Sequence, residues 1–291
     1  MASLRDIRRR IGSVQNTRKI TKAMEMVAAA KLRRNQQRIE SLRPYARDMI
    51  EMMRDLATYS AESRQYDLLQ ERPVKAVAVV AMTGDRGLAG AFNANVVRKT
   101  LEVERRLHGE GVETRVIGVG RKGIGTLKFR GYSIDKSWQG LSDKPSVTDA
   151  QEIAAYLIDL FVKGEVDRVR LVYNHFTSPI EQTLLDEVIL PVPRDAVVGQ
   201  GRSESPVSFI YEPSASAILE ALLPAYVEIA VYRALLESSA SEQGARMSAM
   251  RNASESADEV IERLTLQLNR ASQAAITQEI LEVVAGANAL A

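Results

Sequence analysis

Two glycine patterns are the residues of this 291-residue chain that look most like chemistry. Gly118-Val-Gly120-Arg-Lys-Gly123 follows an apolar run and satisfies G-x-G-x-x-G, the spacing that lets a backbone approach a dinucleotide's pyrophosphate. That use also needs a helix opening at the third glycine and an acidic residue about 20 positions on. Gly125, the short segment 126–129 and Gly131 come next, poor helix material, so the expectation is a structural loop. Gly84-Asp-Arg-Gly87-Leu-Ala-Gly90 also follows an apolar run, but no Lys-Ser/Thr pair comes after it to hold a phosphate and Mg²⁺. It reads as a tight strand-to-helix turn.

Other chemistries are poorly supplied. The chain has no cysteine, which removes thiolate metal sites, thiol nucleophiles and disulfides. Its two histidines, His108 and His175, are far apart in sequence with no second ligand near either, so a zinc site is not expected. Carboxylates are spread along helix-like segments and offer no acid pair. These observations argue against catalysis by the chain alone and imply no cofactor. Residues 1–10 are basic with no apolar stretch behind them, and no run of about 18 apolar residues is evident, so the expectation is a cytoplasmic protein.

Charge points to the elements that position everything else. Residues 1–47 carry 13 basic and 3 acidic side chains, whereas residues 212–291 carry 5 basic and 11 acidic ones, so the two ends attract each other. Apolar residues Ile39, Leu42, Ala46, Met49, Met53 and Leu56 step by 3 and 4, a heptad seam. Upstream, Leu4, Ile7, Ile11 and Val14 continue it, and after one phase slip Ile20, Met24 and Val27 do so, with a kink expected at Pro44. A second 4,3 ladder runs from Leu222 to Ala285, with Arg233, Gln243, Ser254, Gln278 and Glu282 as polar rungs. Helices of fifty-odd and seventy residues would be roughly 80 and 105 Å long, too long for a compact domain, so they should form an antiparallel coiled coil.

The middle reads as a Rossmann-like α/β domain. Strand-like segments 74–82, 113–119, 166–174 and 181–190 alternate with helical segments 93–107 and 148–163, the latter opening on a capping box of Thr148 and Gln151. The expected boundaries are residues 1–59 and 213–291 for the terminal helices and 72–208 for the α/β domain.

The last 18 residues, AAITQEILEVVAGANALA, carry only Glu279 and Glu282 as charges. An apolar helix tip free in water is an aggregation liability, so the expectation is that another protein surrounds it. The basic N-terminal helix keeps open an alternative, a coiled-coil nucleic-acid-binding protein, although no aromatic residues interleave its cations.

Residues 16–30 (NTRKITKAMEMVAAA), Arg43-Pro44-Tyr45-Ala46, residues 84–90, FIYEP at 209–213 and ITQEILEVVAGANA at 276–289 resemble the gamma subunit of the F-type ATP synthase. The C-terminal pattern, Ile276-Thr277-x-Glu279-x-x-Glu282-x-x-x-Gly286-Ala287-x-Ala289, is long and specific. The resemblance implies a central rotor shaft within a ring of alpha and beta subunits, seated with epsilon on the c-ring at the cytoplasmic face of the bacterial inner membrane. It carries no membrane insertion and no nucleic acid. It further implies that Met24, Lys22, Arg246, Ser272, Gln273, Thr277, Glu279 and Glu282 lie at the rotor–stator interface, and that Tyr211 and Glu212 form the foot on the c-ring. Many relatives place Arg where this chain has Ser272, which puts the polar contact expected there in question, or moves part of it to Arg270.

Overall fold

The structure, a computed structural model, describes residues 3–59, 66–178, 181–197 and 214–290. Two very long helices, α1 (Leu4–Tyr59) and α6 (Ala215–Leu290), enclose β1 (Ala76–Met82), α2 (Phe92–Gly109), β2 (Glu113–Val119), α3 (Arg121–Phe129), β3 (Ser137–Trp138), α4 (Val147–Val162), β4 (Arg168–Phe176), β5 (Gln182–Leu190) and the short α5 (Arg194–Val197). Pro44 and Pro224 lie inside α1 and α6 without ending them. The chain divides into two units, Met1–Ala28 with Met247–Ala291, and Ala29–Arg246.

In the larger unit the sheet order is β3-β2-β1-β4-β5, parallel except for the antiparallel edge pair β4–β5. Central β1 alternates by period two. Ala78, Val80 and Met82 join one core with α4, the end of α1 and the start of α6, whereas Val77, Val79 and Ala81 join a second core with α2 and Leu127 of α3. Burial on both faces explains why β1 is apolar throughout rather than alternating. Edge strand β5 is half-buried and bears Asp186, which takes both Arg170 Nε and Nη2 at 2.7 and 2.8 Å.

Two local expectations are corrected. The glycine-rich segment after Gly120 is a helix, α3, because another loop caps it. Arg121 N–H donates to Asp85 Oδ1, Lys122 N–H to the Gly84 carbonyl and Gly123 N–H to Thr83 Oγ1, so three of the first free amides are satisfied from outside. The capping box of α4 falls two residues earlier than expected. Ser146 Oγ accepts from Asp149 N–H, and Asp149 Oδ2 accepts from Ser146 N–H, because Ser146 holds the extended conformation a cap requires.

A third correction concerns the seam of α1. Its most buried positions are 7, 11, 14, 18, 21, 25, 28, 32, 35, 39, 42, 46, 49, 53 and 56, an unbroken 4,3 alternation with no phase slip. Ile20 and Val27 are exposed. The break seen among apolar residues alone arises because Arg18, Thr21, Glu25 and Asn35 occupy rungs.

Candidate functional site

In an open α/β sheet a ligand belongs at the carboxyl ends of the strands, where the strand order reverses. Here that point lies between β1 and β4, and the turn at residues 84–90 follows β1. The chain fills this position itself. Glu242 of α6, 2% exposed, packs so closely on Gly84 that a Cβ there would meet its carboxyl carbon at 2.6 Å. Arg246, one helical turn on, donates from Nη2 to Glu242 Oε1 at 2.6 Å and to the Gly87 carbonyl at 3.1 Å. Burial pushes the Glu242 carboxyl up, against the downward pull of Arg246. Against the upward push of burial, the N–H groups of Gly140, Arg121 and Ser142 hold Asp85 below its ordinary value.

The other glycine pattern is equally structural. Gly120 has φ +90°, and a Cβ on it would overlap the Thr83 carbonyl oxygen, while one on Gly123 would stand 2.5 Å from Thr83 Oγ1. These glycines serve the approach of β2–α3 to Thr83. No group of three or more potential metal ligands occurs among the described residues.

One residue in the first turn is unusual. Leu88 is the sole non-glycine at positive φ (61°) among the described residues, and it is 64% exposed. Holding a leucine there costs on the order of 1–2 kcal/mol.

In the smaller unit α1 and α6 pair antiparallel through polar rungs. Arg18 Nη1 donates to Asp258 Oδ1 at 2.5 Å, Thr21 and Ser254 hydroxyls meet at 2.7 Å, and Arg251 Nε donates to Glu25 Oε1 at 3.2 Å. Lys22 Nζ, exposed, donates to Glu25 Oε2 at 3.0 Å. That bond holds the Glu25 carboxyl below its ordinary value, over the opposing push of burial and with help from Arg251. Met24 is half-buried beside this cluster.

On α6 the half-buried and buried rungs 250, 254, 257, 261, 264, 268, 271 and 275 keep the 4,3 alternation, and residues 276–288 are all exposed. Extending the antiparallel register brings Leu4, where α1 starts, opposite about residues 271–272, so among the described residues the tip has no partner helix. It carries Ile276, Ile280, Leu281, Val283 and Val284 at 50–72% exposure. Against the expectation that no segment is apolar enough to span a bilayer, one 18-residue window of α6 reaches mean hydropathy 1.4, but it is residues 215–232 at its start, where Leu219, Leu223, Val227, Ala230 and Val231 are buried in the core, and not the tip.

The residues named from the resemblance fall in separate places. Ser272 is half-buried at the edge of the seam, and Gln273, Thr277, Glu279 and Glu282 are exposed over the next turns. Thr277 Oγ1 donates to the Gln273 carbonyl, and Gln278 Nε2 to Glu282 Oε1. Lys22 and Met24 lie lower on the coil, near Ser254, and Arg246 is 8% exposed in the larger unit. Tyr211 and Glu212 lie outside the described residues. Sequence reasoning missed Glu242, Leu88, Glu25 and Arg251. The i, i+4 spacing of Glu242 and Arg246 was a signal for that pair, but nothing in the sequence marks the backbone of Leu88.

The ATP synthase family model matches residues 3–290. The chain is 46% identical over 293 residues to the ATP synthase gamma chain of Moorella thermoacetica, covering 100% of each. It is 45% identical over 292 residues to that of Rubrobacter xylanophilus, covering 100% of this chain and 99% of the other. The central stalk/c-ring structure of the Tetrahymena thermophila mitochondrial ATP synthase contains a chain with TM-score 0.60 and 29% identity, covering 81% of this chain and 99% of that one. A rotor chain of the Euglena gracilis mitochondrial enzyme shares the fold at TM-score 0.63 and 21% identity, covering 94% and 98%. The nucleic-acid alternative finds no support in these relatives.

Proposed function

This chain belongs to the gamma-chain family of the F-type ATP synthase and is the rotor subunit of that complex; from this premise we propose how it works. The terminal helices, residues 1–59 and 213–291, form the shaft, and residues 72–208 form the base. The observation that carries the reading is the tip of α6, which outruns α1 and bears five large apolar side chains in water. An isolated helix of that length is marginal, and its apolar surface requires a sleeve. The alternating alpha and beta subunits of the catalytic head supply that sleeve.

The chain is not itself catalytic. Its switch-point crevice, where a nucleotide would sit, holds Glu242 and Arg246 instead. Met24 and Lys22 on the coil, and Ser272, Gln273, Thr277, Glu279 and Glu282 near the tip, meet the stator. Arg246 belongs to the same coupling set, and Tyr211 and Glu212 stand on the c-ring, with epsilon beside them. One asymmetric shaft against three beta subunits makes three different sets of contacts, so identical nucleotide sites acquire different affinities. Rotation driven by ion flow through the c-ring moves each site through those states. The chain then works at the cytoplasmic side of the bacterial inner membrane, peripherally, without inserting and without nucleic acid.

The test is to purify a tagged chain from its host and identify its partners by mass. Recovery with alpha, beta, epsilon and c subunits is expected. Recovery alone or with nucleic acid would overturn the reading, as would nucleotide turnover by the isolated chain.

A further inference from the structure

We propose that Ser238, Ser239 and Ser241 are positioning residues for rotary coupling: their hydroxyls bind the carboxyl end of the sheet and hold α6 at one angle about its own axis. This rests on the rotor reading above, in which torque passes along α6 to the base. Residues 234–244 are buried without a break, about three turns of helix enclosed on every side. A helix so enclosed keeps its angle either by large side chains seated in grooves or by directional bonds. Residues 238–241 are Ser-Ser-Ala-Ser, so for one whole turn no side chain is larger than a hydroxymethyl.

Bonds hold that turn instead. Ser238 Oγ donates to the Met82 carbonyl at the end of β1 (3.4 Å), Ser239 Oγ to the Ser142 carbonyl in the loop before α4 (2.5 Å), and Ser241 Oγ to the Asn174 carbonyl in β4 (3.1 Å). Elsewhere on α6 the hydroxyls of Ser254, Thr265 and Thr277 turn back to their own helix, four residues upstream. At about 100° per residue the three outward hydroxyls span about 160° of the circumference, so turning the helix by one residue position takes all of them off their acceptors. The first helix closes the ring. Asn35 Nδ2 donates to Ser239 Oγ at 2.9 Å, and Lys31 Nζ donates to both carboxylate oxygens of Asp143, next to Ser142, at 2.6 and 2.7 Å. Ser239 thus joins both long helices to the loop.

The experiment uses the assembled ATP synthase in vesicles. It follows protons pumped per ATP hydrolysed as the opposing proton gradient grows, with the melting of each free chain alongside. Removing one hydroxyl should raise the population of misrotated α6 about fivefold, and removing all three by up to roughly a hundredfold. The variant Ser238→Ala/Ser239→Ala/Ser241→Ala should therefore fall further behind the parent as the gradient rises, because only a loaded shaft is driven from its held angle. Ser239→Ala alone should do so more weakly. Lys31→Asp should also lose pumping under load, and Asp143→Lys added to it should restore the loss by forming the pair in reverse. A triple variant that tracks the parent at every gradient would overturn the proposal. So would a deficit of the same size at every gradient, which loose packing alone gives. If the triple variant does not fold, Ser239→Ala decides by the same comparison. An unaltered chain that never assembles with the head fails the rotor reading instead.

Discussion

Ending the chain after Ala275 removes the part of α6 that has no partner helix. The five large apolar side chains there are 50–72% exposed. Full burial of such a side chain is worth about 1.5–3 kcal/mol, and part of each is already covered by its own helix, leaving about 1 kcal/mol each to a sleeve. That totals about 5 kcal/mol, of which ordering and imperfect packing consume some. A net loss of about 3 kcal/mol corresponds to roughly a hundredfold weaker hold of the head on the rotor. The free chain should lose no more than about 0.5 kcal/mol, since the described residues removed, 276–288, are all exposed. Calorimetric melting of the free chain and native mass spectrometry of diluted complexes read the two quantities separately. A melting temperature lowered like that of a core variant would refute the reasoning, as would parent-like retention in the head.

Other outcomes are expected. Gly120→Ala should cost about 3–5 kcal/mol, because the added Cβ overlaps the Thr83 carbonyl at a left-handed backbone; a urea midpoint close to the parent's would show that Thr83 yields. Glu25 is held below its ordinary value of 4.5, so its stabilisation is present above that pH and lost as pH falls through the lower folded value. Acid melts of Glu25→Gln should lack this dependence, and superimposable curves would contradict it. Met24→Lys places an ammonium beside Lys22, and it should lower protons pumped per ATP more than it alters nucleotide binding; equal pumping would remove Met24 from the interface. Ser272→Arg should change ATPase rate and rotor dissociation while leaving chain stability alone, whereas Ser272→Ala should not; identical behaviour would leave Gln273 and Arg270 as the better contacts.

Long-period features were legible before the fold was known. β2 spans Glu113–Val119, as its apolar run implies, and the α6 rungs from 250 to 275 follow the ladder written in the sequence. Misreadings came where distant groups decide local structure. The α3 helix forms against its glycines because Asp85, Gly84 and Thr83 cap it, and no local propensity records that. The seam of α1 looked broken because reading only apolar residues skips Thr21 and Glu25, whose burial is satisfied by Ser254 and Arg251. Nothing in the sequence marks Glu242 and Arg246 as buried, because their burial comes from the turn at Gly84 and Gly87 that the sheet sets against them.

The polar rungs have a consequence for a part that carries torque. A seam of leucines alone can slip by one heptad and still bury its side chains, because any leucine suits any hole. Here a slip of seven residues in one direction sets Glu25 against Asp258, and in the other it sets Arg18 against Arg251. Either displacement puts like charges face to face and strands the hydroxyls of Thr21 and Ser254. The pair of helices is thus keyed like a splined axle: the grooves that weaken the grip between the two strands are the ones that forbid them to creep past each other under load.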